Sequence, residues 1–298
     1  MILKNSFLYL AGIAFLTLSK LKNMLQGYKS PKPFDMSHTS KCIDYDIHVV
    51  NEWLNHINKY TNNSYTIAGK NVLELGPGSD LGVGLYLLAK GCAQYNACDV
   101  NNLMESTPDI FYNQLFSKLE NMNIHTDIIN NLKMQLAKIK DGRESRLKYV
   151  VNKNFDIVAA FGKATIDLVF SQAAFEHFDD IEKTVSQLSQ ICKDGALLVA
   201  EIDLKTHSRW IRDVDPNNIY RYSNYVYRLF CAPGTPNRYR PYHYKEVLER
   251  FGWSNISIVP LNKLNDKTIA YSGMHKNYSS EKNQMDYLSI IMCATKGS

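Results

Sequence analysis

The sequence predicts an α/β chain built on one open, doubly wound sheet covered by helices on both faces. Three observations carry that expectation. An apolar strand, Asn71 to Leu75, runs straight into the glycine turn Gly76-Pro77-Gly78 and then into a helical run. Strand-like and helix-like runs alternate from there towards the carboxyl end, the pattern that builds a mostly parallel sheet. A second strand ends in the carboxylate Asp99, about twenty residues beyond the glycines, the separation at which an acid meets a ribose in such sheets.

The first element stands apart from this pattern. Phe7 to Leu18 is an apolar run of about a dozen residues, shorter than the eighteen or so that a bilayer-spanning helix takes. No small-residue cleavage site follows, since Ser19-Lys20-Leu21-Lys22 comes next. Continued as a helix, it sets Leu18, Leu21 and Leu25 on one side and Lys20 and Lys22 elsewhere. Two readings stay open: a helix peripheral to a membrane, and one packed on the protein itself or a neighbouring subunit. Lys29-Ser30-Pro31-Lys32-Pro33 reads as a linker, because two close prolines stop a helix. Residues 1–33 are therefore separated from a domain over 34–298.

At the glycine turn, Gly76 and Gly78 have no Cβ, so their amides can lie against a ligand where any larger side chain would collide. Glu74, at the strand end, can take a cationic or hydroxyl-bearing group. Together they suggest a nucleoside cofactor carrying positive charge. A dinucleotide fingerprint fails because its last glycine position falls on Leu81, and the Gly-Lys-Ser/Thr of a phosphate loop is missing. The helical run Leu81 to Lys90 closes at Gly91, where a C-cap is expected. Ala93 to Val100 is the second strand; its Asp99 could also simply cap the next helix. Residues 103–146 form an insertion with helical spacing over Ile110 to Lys140, longer than one crossover helix requires. Leu147 to Val151, Ile166 to Ser171 and Ala196 to Asp203 follow as strands, the last after the turn Lys193-Asp194-Gly195. A Tyr- and Arg-rich insertion occupies 205–243. The helix Tyr244 to Phe251 ends at Gly252, and Asn255 to Leu261 and Tyr287 to Thr295 are the closing β-rich runs.

The Glu74-Leu75-Gly76-Pro77-Gly78 turn resembles motif I of the class I S-adenosylmethionine-dependent methyltransferases. Gln172-Ala173-Ala174-Phe175-Glu176-His177-Phe178-Asp179-Asp180 is similar to the segment after the fourth strand in many members. The resemblance covers roughly residues 40 to 298 and implies the Rossmann-like doubly wound sheet of that class, with S-adenosylmethionine as cofactor. It implies that Glu74, Gly76, Pro77 and Gly78 hold the methionine end, Asp99 and Val100 the ribose and adenine, and that Ser171 lies beside the sulfonium. Asp156 or Phe155 would meet the adenine amino edge, although Asn152 to Asp156 departs from the family's short acid-plus-hydrophobe pattern. Phe170 to Ala173, Glu201 to His207 and Asn237 to Arg240 resemble the methyltransferases of bacterial surface-polysaccharide biosynthesis. That narrower resemblance implies a sugar or glycan-precursor acceptor.

A sugar hydroxyl is a poor nucleophile at neutral pH and benefits from a general base. His177 and His207 follow the fourth and fifth strands, at the carboxyl edge where such sheets place ligands. His207 is favoured, with Asp203 to orient it, because its segment leads into the second insertion. Asp203 and His207 alone do not make a metal site, and none is expected. The two insertions are expected to form an acceptor lid, with Arg238, Tyr239 and Arg240 contacting the acceptor through arginine forks and aromatic faces. Net charge is +5, much of it near the start, too mild and too local for a nucleic-acid footprint. Six scattered cysteines without a C-x-x-C pair point to a reducing cytosol. A cofactor-binding protein without catalysis remains an alternative, as does methylation of RNA or another small metabolite.

Overall fold

In the computed structural model, residues 2–26, 38–232 and 234–297 are described. The expected linker at 29–33, and with it the domain boundary, lies outside them. The strands are β1 (Asn71–Leu75), β2 (Gln94–Asp99), β3 (Leu147–Val151), β4 (Ile166–Gln172), β5 (Cys192–Asp203), β6 (Trp253–Lys263) and β7 (Tyr287–Lys296). They form one sheet in the order β3-β2-β1-β4-β5-β7-β6. The first five are parallel, while β7 runs antiparallel to both β5 and β6. Strand order reverses between β1 and β4, so a crevice opens at their carboxyl ends, the place where open α/β sheets bind ligands.

Eleven α-helices are described: α1 (Ile2–Gln26), α2 (Thr39–Tyr60), α3 (Gly82–Ala89), α4 (Asp109–Asn121), α5 (Thr126–Lys140), α6 (Ile157–Phe161), α7 (Ile181–Ile191), α8 (Arg209–Arg212), α9 (Asn224–Phe230), α10 (Pro241–Arg250) and α11 (Lys267–Tyr271). Side chains along a strand alternate between faces, and β1 shows the result. Val72 joins the core beneath α2 to α5, whereas Leu73 and Leu75 join the core beneath α6, α7 and α10. Glu74 therefore projects on the α2 side. The expected turn before the fifth strand is instead a bulge inside β5, where Ile166 pairs with Cys192 but Leu168 with Leu197, and Gly195 takes a φ of 76°.

The first insertion is not a lid. Phe111, Leu115 and Leu119 of α4, with Ile129 and Leu132 of α5, are buried in the α2–α3 core, because apolar residues at helical spacing need a partner face. The second insertion forms a separate third core around Tyr220, Tyr222 and Tyr227, to which α1 contributes Tyr9, Ile13 and Leu16. Of the two readings of the amino-terminal helix, packing on the protein itself holds for one face. Gly12 permits it: a Cβ there would lie 2.0 Å from both Asn218 Oδ1 and Tyr222 Oη. Asn218 donates to the Leu8 carbonyl at 3.0 Å, and Tyr222 Oη donates to that of Tyr9 at 3.1 Å. The opposite face remains exposed along Leu3, Phe7, Leu10, Leu18, Leu21 and Leu25.

Candidate active site

A cavity of about 790 Å³ occupies the crevice, within the usual range for small-molecule sites. Gly76, Pro77 and Gly78 form part of its wall, with φ of 72° at Gly76 and 81° at Gly78, which L side chains rarely adopt. A Cβ at Gly76 would also meet that of Ala174 at 2.8 Å. The corner therefore stays open only because it is glycine.

Carboxylates crowd the adjoining wall. Glu74 is buried and accepts a hydrogen bond from Tyr95 Oη at 2.5 Å; burial, helped by Asp80 and Asp99, pushes its pKa up to about 8. Asp46, on α2, has one carboxylate oxygen without a partner among the described residues. Burial, then the neighbouring Asp80, raises its pKa, and Asp80 is itself raised by burial. Asp99 accepts from the Asn101 amide at 2.9 Å and is raised by burial. Buried carboxylates that hold protons for want of a counter-charge are a natural seat for a cation. A nucleoside with a sulfonium and an ammonium group fits these residues: carboxylates for charge, bare amides at the corner, and Asp99 and Val100 on the wall for the sugar and base.

Residues 45–258 match the family model of the methyltransferase domain. The chain belongs to this family. It is a methyltransferase that depends on S-adenosylmethionine, and its sheet is the Rossmann-like sheet of that class. No curated protein matches it by sequence. Among solved structures it is similar to the CurJ carbon methyltransferase (16% identity, TM-score 0.44, 81% of this chain and 52% of that one). It is also similar to Haemonchus contortus phosphoethanolamine N-methyltransferase 2 in complex with S-adenosyl-L-methionine (13%, 0.45, 83% and 53%). A third is an S-adenosylmethionine-dependent methyltransferase from Mesorhizobium loti (11%, 0.46, 80% and 96%). The chain thus spans about half the length of the first two.

Several of the expected site residues stand elsewhere. Ser171 is fully buried behind the wall, 3.4 Å from the Leu75 carbonyl, and its neighbours Gln172, Ala173 and Ala174 line the cavity instead. Asp156 caps α6, accepting from the Ala159 amide at 2.9 Å, while Phe155, at a φ of 51°, reaches the cavity. The arginines expected to hold the acceptor are cross-links of the second insertion. Arg238 is buried against the Tyr227 ring and donates to the carbonyls of Ile219 and Tyr222 and to Asn224. Arg240 is fully buried and donates to the carbonyls of Asn283, Gln284 and Tyr287. Tyr239 packs edge-on to His243. None of the three is among the described residues lining the cavity.

The two histidines do meet, with ring centroids 4.8 Å apart. His177 lines the cavity, whereas His207 is not among the described residues lining it. The Gly234 carbonyl lies 2.6 Å from His177 Nδ1 and can only accept, so Nδ1 carries the proton and Nε2 keeps a lone pair. Burial lowers the pKa of His177 and, with His177 beside it, lowers that of His207 to about 4. Asp203 is a poor orienter for His207. Its carboxylate is taken by Arg212 and by the Lys205 amide at 3.0 Å, and His207 Nε2 stays 3.8 Å away. Glu176 is buried, and its carboxylate oxygens make no hydrogen bond of full geometry among the described residues.

Tyr45 and Asp46 on α2 went unread in the sequence, yet both line the cavity. The signal was an acid at 46 set into the apolar stripe Ile43, Ile47 and Val50, where a charge has no place unless it serves a ligand.

Proposed function

We propose that the enzyme transfers the methyl group to a hydroxyl of a sugar or glycan precursor, a class that includes those of bacterial surface-polysaccharide synthesis. The observation that carries the hydroxyl is His177, whose ring is fixed by Gly234 with Nε2 left able to accept. S-adenosylmethionine, when bound, supplies the sulfonium methyl; the S–CH3 bond breaks with its electron pair left on sulfur as the acceptor oxygen forms the new C–O bond. The chain's own work is alignment and removal of the hydroxyl proton. Gly76 to Gly78 and the Glu74–Asp46 carboxylates hold the cofactor's position, and the His177 cluster receives the proton. Polar wall groups Gln172, Asp179, Asp180 and Lys183 supply hydrogen bonds suited to a polyhydroxylated acceptor. Production of S-adenosylhomocysteine with a panel of sugars and nucleotide sugars tests this. Turnover only with amine acceptors or RNA overturns it, and no turnover with any acceptor favours the binding-only alternative.

We also propose that α1 rests on an anionic bilayer surface at the cytoplasmic side. Among the described residues no helix is long and apolar enough to cross a membrane. The helices that α1 touches also expose large apolar side chains, Trp210, Tyr225 and Leu229. α1 carries Lys4, Lys20 and Lys22 and no acid, and the helices it touches carry Arg209 and Arg228. Two copies packed along this face would bring lysines together, whereas anionic headgroups attract each by about 1 kcal/mol. Sedimentation with phosphatidylserine vesicles, but not with neutral ones, and its loss in Leu18→Glu are the expected results. Binding that ignores lipid charge, or a dimer dissolved by Leu18→Glu, overturns this.

A further inference from the structure

We infer that Glu176, His177 and His207 form a binding site for a divalent transition-metal ion, set into the wall of the cavity beside the acceptor. One donor atom from each lies within 4.8 Å of the other two. In the tetrahedral arrangement zinc takes, donors about 2.1 Å from the ion stand about 3.4 Å apart, so the cluster has to close by up to about 1.4 Å. Because Gly234 holds the His177 ring, the closing movement falls to the side chains of Glu176 and His207.

Three features set this cluster apart from a chance meeting of polar groups. Glu176 is 2% exposed, and its carboxylate oxygens make no hydrogen bond of full geometry among the described residues, with only the amides of Glu176 and Asp203 nearby, an arrangement that costs stability unless something occupies it. His177 is oriented as metal-bound imidazoles are, its Nδ1–H donating to the Gly234 carbonyl while Nε2 is free to ligate. The three ligands also come from two chain segments, the turn after β4 and the turn after β5, both anchored by central strands, which gives a rigid seat.

The donor set selects the ion. Two imidazoles and one carboxylate suit zinc, manganese, iron or cobalt in the divalent state. Magnesium and calcium prefer all-oxygen shells and are disfavoured. Because His177 also lines the cavity, an ion held here keeps an open side towards the acceptor. With the ion bound, His177 Nε2 is a ligand and no longer the proton acceptor, so the acceptor hydroxyl, acidified by the ion, gives its proton to water and its oxygen pair forms the bond to the methyl carbon. This role rests on the hydroxyl-methylation reading above; occupancy of the site does not.

Occupancy is tested on the full-length protein, stripped with a chelator and titrated with Co²⁺. One ion per chain is expected, with the visible bands of a low-coordinate Co²⁺ that added Zn²⁺ abolishes. His207→Ala and Glu176→Gln should each weaken binding by at least about tenfold. S-adenosylmethionine binding, measured in the same samples, confirms that the variants are folded, since no ligand residue belongs to the glycine corner. Absence of a Co²⁺ spectrum and of binding heat with Zn²⁺ or Mn²⁺ overturns the site, as does undiminished binding in the double variant. For the role, chelation should reduce methyl transfer and Mn²⁺ or Zn²⁺ restore it. Transfer unchanged after complete removal of the ion overturns the role, and because the Co²⁺ titration needs no acceptor, failure of the hydroxyl reading is told apart from failure of the site.

Discussion

The two ends of the cavity are built by different means. At the cofactor end, Glu74, the Gly76–Gly78 corner and Asp99 come from one contiguous strand–turn–helix–strand stretch, and the backbone itself does much of the work. At the acceptor end, Glu176 and His177 follow β4, His207 follows β5, and Gly234 reaches in from the second insertion to hold a ring. A local unit fixes its geometry through dihedrals. A convergent cluster depends on everything that positions its separate segments, so damage should spread differently from the two.

The largest effect should come from the convergent end. His177→Ala is expected to lower kcat by about 10²- to 10⁴-fold while leaving cofactor affinity unchanged, because the ring receives or directs the acceptor proton and the glycine corner is untouched. Steady-state kinetics beside calorimetric cofactor titration make the check. A loss of cofactor affinity as large as the loss of kcat would break the division between the ends.

Arg240→Met comes next, and it sharpens what supports the acceptor end. The guanidinium of Arg240, fully buried in the second insertion, binds three carbonyls of the segment leading into β7, those of Asn283, Gln284 and Tyr287, so its removal leaves them without that donor. Destabilisation by roughly 3–5 kcal/mol is expected, lowering Tm by about 10 °C in a scanning calorimeter. Unchanged Tm with abolished turnover would return this residue to the role of acceptor contact expected from the sequence.

At the cofactor end, Gly76→Val should weaken S-adenosylmethionine binding by about 100-fold, about 2.7 kcal/mol, since it combines a strained φ with a collision against Ala174. Equilibrium dialysis reads it directly, and affinity within a few-fold of the parent protein would remove the corner from the site.

These contrasts also explain what could be read from the sequence. The sheet, its strands and the glycine corner were legible because hydrophobic periodicity and missing side chains are local signals. The place of Asp99 at a strand end, on the cavity wall, was legible for the same reason. Ser171 and Asp156 were misread because a strand end and a helix start offer more than one direction, and one fell behind the wall while the other became a cap. Arg238 and Arg240 illustrate a deeper limit. A run of arginines and tyrosines has the same composition whether it faces a ligand or ties together a small third core, and only tertiary packing separates the two. The pairing of His177 with His207 was open to guesswork at most, because their contact follows from the adjacency of β4 and β5 in the sheet.

The smallest effect is a pH dependence confined to the cofactor end. Burial raises the Glu74 pKa to about 8, above its ordinary value of 4.5, so near pH 7 the folded protein holds a proton there. The contribution of this group to stability is therefore fully present below 4.5 and is lost as pH rises towards 8. A bound sulfonium and ammonium favour the ionised carboxylate, which lowers its pKa and expels the proton. Affinity for S-adenosylmethionine should then rise with pH between about 6 and 7.5, by at most about tenfold per unit for one proton released. That window stops short of the cofactor's own α-amino group, which titrates near 7.7–8.0. Calorimetry in two buffers of different ionisation enthalpy counts the proton, and Glu74→Gln should remove it along with most of the slope. Asp46, raised by burial and then by the neighbouring Asp80, and Asp80, raised by burial, would account for any slope that survives. A flat profile with no proton released would mean that the cation lies away from these carboxylates, and the cofactor end would then rest on its bare amides alone.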